Sequence, residues 1–119
     1  VTLSKPGEMK LPMTWIALLH GRIRASLAAS TGVRNATEVI KYLLCGADVV
    51  QTASALLRFG PEHAGALLTD LQDWLDRKGF HSLDEVRGLL AVPEQGAERA
   101  RAGYVGALRA ADSGAYGDW

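Results

Sequence analysis

Disulfide-forming cysteines, an excess of charge and long apolar runs are all missing from this chain, and each absence removes a class of protein. Cys45 is the one cysteine, so no internal disulfide can form and the stapled scaffolds of small secreted proteins are excluded. A reducing cytoplasm is the expected compartment. The 13 Lys and Arg residues balance 13 Asp and Glu, and no block of like charge invites nucleic acid or a membrane surface. No apolar run approaches the roughly 18 to 20 residues of a spanning helix, and the opening residues lack the order of a secretory leader. The expectation is a chain that works without a membrane. What remains is 119 residues, 48% hydrophobic, enough to bury an appreciable core. The chain starts at Val1 and not at a methionine, which suggests processing or a piece of something longer.

Residues 1–10, with Pro6 and Gly7, read as a loop. Pro12 suits the first turn of a helix over about Pro12 to His20, where Trp15, Ile16, Leu18 and Leu19 form an apolar side and Gly21 supplies a left-handed stop. The run Ala25 to Ser30 is short and lies between breakers, which favours a strand over the helix that its alanines would otherwise allow. Asn35 and Glu38 have the spacing of a capping box, followed by the stripe Val39, Ile40, Leu43 and Leu44 up to Gly46. Ala47 to Thr52 then has the β-branched content of a buried parallel strand. A short segment, Ala55 to Arg58, precedes Gly60-Pro61. A longer helix runs from Pro61 to about Lys78 with Leu67, Leu68, Leu71, Trp74 and Leu75 on one face. Ser82 and Glu85 form a second capping box, opening a short helix expected to bury Leu83, Val86, Leu89 and Leu90. A last helix from about Glu98 to Ala111 presents Tyr104, Val105 and Leu108, and the tail 112–119 reads as loose.

Helix, strand, helix, strand, helix is a βαβ unit with flanking helices, and its crossover makes the two strands parallel. Two parallel strands cannot cover both faces of their own sheet, so about five helices around two strands read as an incomplete α/β sheet. The strand ends carry the chemical clue. In (β/α)8 barrels a ligand phosphate is commonly held after strands 7 and 8, beside a short extra helix. Here Thr31-Gly32 follows the first strand and Ala53-Ser54 the second, and small residues let backbone N–H groups approach a phosphate oxygen.

The gapless series Ser30-Thr31-Gly32-Val33, Tyr42-Leu43-Leu44-Cys45-Gly46-Ala47-Asp48-Val49-Val50-Gln51, Ala53-Ser54-Ala55-Leu56 and Gly60-Pro61 is similar to the end of the barrel in dihydroorotate dehydrogenases. The resemblance covers about residues 3–91 and, more weakly, Tyr104 to Leu108. The segment Leu11 to Leu18 looks more like divergent bacterial members than the enzymes of pyrimidine biosynthesis proper. What the resemblance implies is the C-terminal part of an FMN-binding TIM barrel over residues 1–91, supplying strands 7 and 8 with their flanking helices, and a helical extension over 92–119. It implies an FMN-dependent oxidoreductase as the whole protein, with Thr31, Gly32, Ala53 and Ser54 at the FMN phosphate. Thr31 and Ala53 depart from the family, which usually has glycine at the first position and commonly at the second. The implied partners are FMN, a small dihydropyrimidine-like substrate and, as one option, a second copy in a homodimer. In the family the substrate's hydride passes to the flavin while a side-chain base takes the proton. That base, the substrate-binding asparagines and the lysine near the flavin sit on earlier strands, so the segment alone is not expected to be active. Ser4, after what would be strand 6, could approach the flavin.

Plainer readings stand beside these. A lone turn glycine is more often only a turn, and it is the matching second pair that tips Gly32 toward a phosphate. Ser54 could simply cap the helix that follows, which would not exclude a phosphate contact. Cys45 reads as a buried structural thiol, Trp15 and Trp74 as core, Asp70, Asp73 and Asp76 as a solvated face, and Arg58 as a surface arginine at a helix end. His20, His63 and His81 lack ligand spacing for a metal. Two other function classes also fit: an autonomous helical interaction module, and another phosphate-binding barrel such as a sugar-phosphate lyase, since the phosphate grip is shared among chemistries.

Overall fold

The computed structural model describes residues 2–93 and Gly103. A 3-10 turn, Pro6–Met9, leads into α1 (Lys10–Leu19); β1 (Ala28–Ala29), α2 (Ala36–Cys45), β2 (Val49–Val50), α3 (Ser54–Phe59) and α4 (His63–Lys78) follow, and a second 3-10 turn spans Leu83–Glu85. The opening loop expected over residues 1–10 is thus partly helical. Glu8 Oε2 accepts the Lys5 N–H at 2.9 Å, which ties down the start of that turn, and Pro12 still falls within the first turn of α1, where a missing donor costs nothing. The helix expected over 98–111 and the tail lie outside the described residues, apart from Gly103.

Both expected strands are present and parallel, though each is only two residues long, with Ala28 opposite Val49 and Ala29 opposite Val50. The N–H groups of Asp48 and Gln51 donate to Leu27 O and Ala29 O, each at 2.8 Å. The Asp48 carboxylate accepts the Leu27 N–H at 2.7 Å, extending the pairing by one residue. Alternation of side chains places Ala29 and Val50 against Ile16 and Ala17 of α1 and Tyr42 of α2. Ala28 and Val49 point the other way, and Val49 is 54% exposed. The sheet is therefore covered on one face only, in a mixed α/β arrangement.

The ends of α2 are set locally. Glu38 Oε2 accepts the Asn35 N–H at 2.7 Å, as the capping spacing requires. At the other end Gly46 adopts φ +114°, its N–H reaching Leu43 O at 2.9 Å while the Ala47 N–H reaches Tyr42 O at 3.0 Å. The His20 ring lies over this cap, with Nδ1 3.1 Å from Gly46 O. After α1, the Arg22 N–H bonds Leu19 O at 2.9 Å across a turn in which Gly21 takes φ +76°, so the left-handed glycine falls where the sequence placed it.

A second core cluster joins Leu43, Leu75 and Val86, with Leu71, Trp74 and Phe80 packed around it. The Trp74 and Phe80 rings stack with centroids 5.8 Å apart. Two expectations fail here. Leu68 is 69% exposed, because the contact stripe runs through Leu67, Leu71 and Leu75 at four-residue steps and Leu68 lies on its flank. It borders an apolar groove of about 230 Å³ that Val33, Val39 and Val50 also line. The helix expected after Ser82 shrinks to a single 3-10 turn, although Glu85 does accept the Ser82 N–H at 3.3 Å. The chain then follows α2 and α1 instead of coiling on itself: Gly88 N–H bonds Leu43 O, Leu90 N–H bonds Leu44 O and Val92 N–H bonds Ala17 O. Without helical periodicity Val86 alone of the four apolar residues is buried, leaving Leu83, Leu89 and Leu90 exposed.

A Cβ added to Gly46 would lie 2.3 Å from His20 Cγ, at a φ that side chains disfavour. Gly46→Ala is expected to lower stability by roughly 2–4 kcal/mol in urea unfolding, the sum of backbone strain and overpacking. Replacing His20 by alanine in the same chain should recover only part of the overpacking loss, because the retained His20 Cβ would still lie 2.6 Å from the added methyl group; an additive double variant would show that the ring contact carries none of the loss.

Candidate functional site

The ends of the two strands lie side by side, and the residues that follow them meet through a third segment. Beyond β1 the chain enters the turn Ser30-Thr31-Gly32. The Tyr42 hydroxyl, fully buried, lies 2.9 Å from Ser30 O and 2.8 Å from Thr31 O, and shares its proton between them. A trans peptide points its N–H opposite to its C=O, so the Thr31 and Gly32 amides face away from Tyr42. The Gly32 N–H donates to Ser4 Oγ at 3.2 Å. Ser4 Oγ is in turn 2.9 Å from Ser54 Oγ, at the start of α3. Ser4 thus bridges Gly32 and Ser54, the two positions that the sequence singled out after separate strands.

The turn itself is held under strain. Thr31 has φ +86° and Gly32 φ +74°; for a β-branched residue such a φ is an outlier. Gly32 is also closely approached, since an added Cβ would lie 2.9 Å from Lys5 O and 3.1 Å from Met9 Cβ. Thr52 Oγ1 donates to Val33 O at 2.9 Å, tying the end of the second strand to the loop after the first. Ala53 is the exposed N-cap residue of α3, next to Ser54 in the chain. Ser54 is the first helical residue and not the cap, and its hydroxyl is engaged with Ser4.

Chemically, the Gly32 amide and the hydroxyls of Ser4 and Ser54 form a donor-rich group suited to an anion, with the nearby Glu8 carboxylate engaged by the Lys5 N–H. Arg58 is exposed in the last turn of α3. Arg34 is nearer the turn in sequence, with its guanidinium 5.1 Å from the centre of the Phe59 ring, while His63 Nε2 lies 2.7 Å from Arg34 O. Burial pushes the Tyr42 phenol above its ordinary value, with the neighbouring Cys45 adding to the effect, and burial likewise raises the Cys45 thiol. Cys45 is buried, in keeping with a structural thiol.

Two contributors to the cluster are poorly marked in the sequence. Ser4 lies 28 residues before Gly32 and 50 before Ser54, and no local pattern connects them. Tyr42 did leave a signal. It stands three residues after Val39 and four before Gly46, on the inward side of α2, and a buried tyrosine hydroxyl requires a partner.

No family model matches the chain. It is 37% identical over 59 residues to the putative dihydroorotate dehydrogenase A (fumarate) of Streptococcus agalactiae, an overlap of 50% of this chain and 19% of that protein. Over 86 residues it is 32% identical to the dihydroorotate dehydrogenase (fumarate) of Kluyveromyces lactis, covering 72% of this chain and 27% of that protein. With the dihydroorotate dehydrogenase A (fumarate) of Lactococcus lactis the identity is 30% over 59 residues. The chain spans between about a fifth and about a quarter of the length of these relatives. The fold and the donor cluster define a partial α/β unit with adjoining strand ends. Its sequence places it plainly in a dihydroorotate dehydrogenase-like family.

Two outcomes follow from the buried groups. Tyr42 and Cys45 ionise less readily folded than unfolded, so the stability they contribute is complete below their ordinary values of 10.0 and 9.0 and is lost as pH rises through and beyond them. The urea midpoint should stay level from pH 7 to 8 and fall above about pH 9, and Cys45→Ala should remove the earlier part of the fall. Gly32→Ala should cost roughly 2 kcal/mol or more, because backbone at Lys5 must move to admit the methyl group.

Proposed function

We propose that this chain is the C-terminal part of an FMN-dependent oxidoreductase, forming strands 7 and 8 of a (β/α)8 barrel within residues 1–91 and gripping the FMN phosphate at their ends, with 92–119 as an extension. The carrying observation is the bridge from the Gly32 amide through Ser4 Oγ to Ser54 Oγ. A phosphate dianion needs several converging donors, which this cluster offers, and the neighbouring Glu8 carboxylate is engaged by the Lys5 N–H. Gly32 and Thr31 would offer amides, and Ser54 and Ser4 hydroxyls, with Ala53 leaving the second strand end unobstructed. FMN, when bound, supplies the acceptance of hydride from a small dihydropyrimidine-like substrate. This chain's residues supply grip and orientation. The bare face of the sheet, with Val49 exposed, supports the barrel reading, because parallel strands are ordinarily covered on both faces.

The test is a visible spectrum. The 119-residue chain alone should show no flavin absorbance, and a longer polypeptide that includes the remaining barrel strands should purify yellow. Ser54→Asp in that longer protein should weaken FMN retention by about tenfold or more, since a like charge at about 4 Å is worth roughly 1–4 kcal/mol in a site between water and protein. A colourless longer protein that still binds a sugar phosphate would point to a different phosphate-binding barrel.

A further inference from the structure

We propose that Tyr42 is the positioning residue of the anion site, and that its hydroxyl, by clamping the Ser30 and Thr31 carbonyls, aims the Thr31 and Gly32 amides at a phosphate monoester. The inference rests on the reading of the Ser30–Gly32 turn as the phosphate grip. Tyr42 is fully buried and its hydroxyl is engaged by the carbonyls of the turn, so it acts through the turn. The clamp is needed because Thr31 would otherwise leave its left-handed φ of +86°, which a β-branched side chain resists. Such a conformation persists only when the surroundings over-determine it. Here the turn is gripped from both sides: Tyr42 Oη holds two carbonyls at 2.9 and 2.8 Å, and Lys5 O with Met9 crowds Gly32 from the opposite side. If the hydroxyl is removed, Thr31 can relax to negative φ. The Thr31–Gly32 peptide then rotates and the Gly32 N–H swings away from Ser4 and Ser54. A phenylalanine would fill the same buried space, so the effect belongs to one oxygen atom and not to packing.

The experiment follows the backbone amides of the ¹⁵N-labelled 119-residue chain by NMR as inorganic phosphate is added at constant ionic strength. In the unaltered chain the Gly32 amide resonance should move on titration. Tyr42→Phe should weaken phosphate binding by about tenfold, the order of one misaimed amide hydrogen bond to a charged acceptor. Thr31→Gly added to Tyr42→Phe should bring affinity back to within about threefold of the unaltered chain, because glycine adopts the left-handed turn without a clamp. A purely structural role for Tyr42 would not be rescued at Thr31. Unchanged affinity in Tyr42→Phe, with Gly32 still responding, overturns the positioning role and leaves the phosphate site standing. A Gly32 amide that never responds in the unaltered chain removes the phosphate reading itself, and the proposal with it. Should Tyr42→Phe alone not fold, the double variant carries the test: folded but without regained binding, it overturns the clamp.

Discussion

The parallel pairing of β1 with β2 is the constraint from which the site follows. Two strong N–H to O bonds at 2.8 Å, from Asp48 to Leu27 and from Gln51 to Ala29, bring two chain segments about twenty residues apart into register. Because the strands run the same way, both of their outgoing turns emerge at the same end of the sheet. An antiparallel pair would have sent Gly32 and Ser54 to opposite ends. The α2 crossover makes the parallel arrangement possible, and its capping at Asn35 and Gly46 fixes how much chain it uses.

The same crossover helix connects the core to the site. Tyr42 packs in the cluster with Ile16, Ala17 and Ala29, yet its hydroxyl ends on the carbonyls of the turn. Packing of the helical layer and the direction of the turn's amides are therefore one event. The Thr31 conformation is sustained by this packing, since backbone strain persists only where the surroundings over-determine it. On the opposite side, the segment Ser4 to Met9 presses against Gly32 and delivers the Ser4 hydroxyl to the point where the two turns meet.

Much of this was legible residue by residue. The capping pair Asn35 and Glu38, the helix-ending glycines Gly21 and Gly46 and the α4 stripe through Leu67, Leu71 and Leu75 all depend on neighbours within a few positions. Such signals survive without knowledge of the rest of the chain. The misreadings share a cause. Leu83, Leu89 and Leu90 carry the spacing of a helical face, but from Gly88 onward the backbone is bonded to Leu43, Leu44 and Ala17, and long-range bonds override a local period. The side of Leu68 likewise depends on which neighbouring element happens to cover it.

By itself, the sequence determined the order and type of the elements from α1 to α4, the two strand-end pairs Thr31-Gly32 and Ala53-Ser54, and the family. These are carried by spacing, which is a property of the chain. Only the tertiary structure decided that Ser4 would join the pairs and that Tyr42 would orient the turn. Hydrogen bonds across 50 and 11 residues leave no periodic trace; they exist because pairing two strands brought distant hydroxyls within 3 Å of their partners.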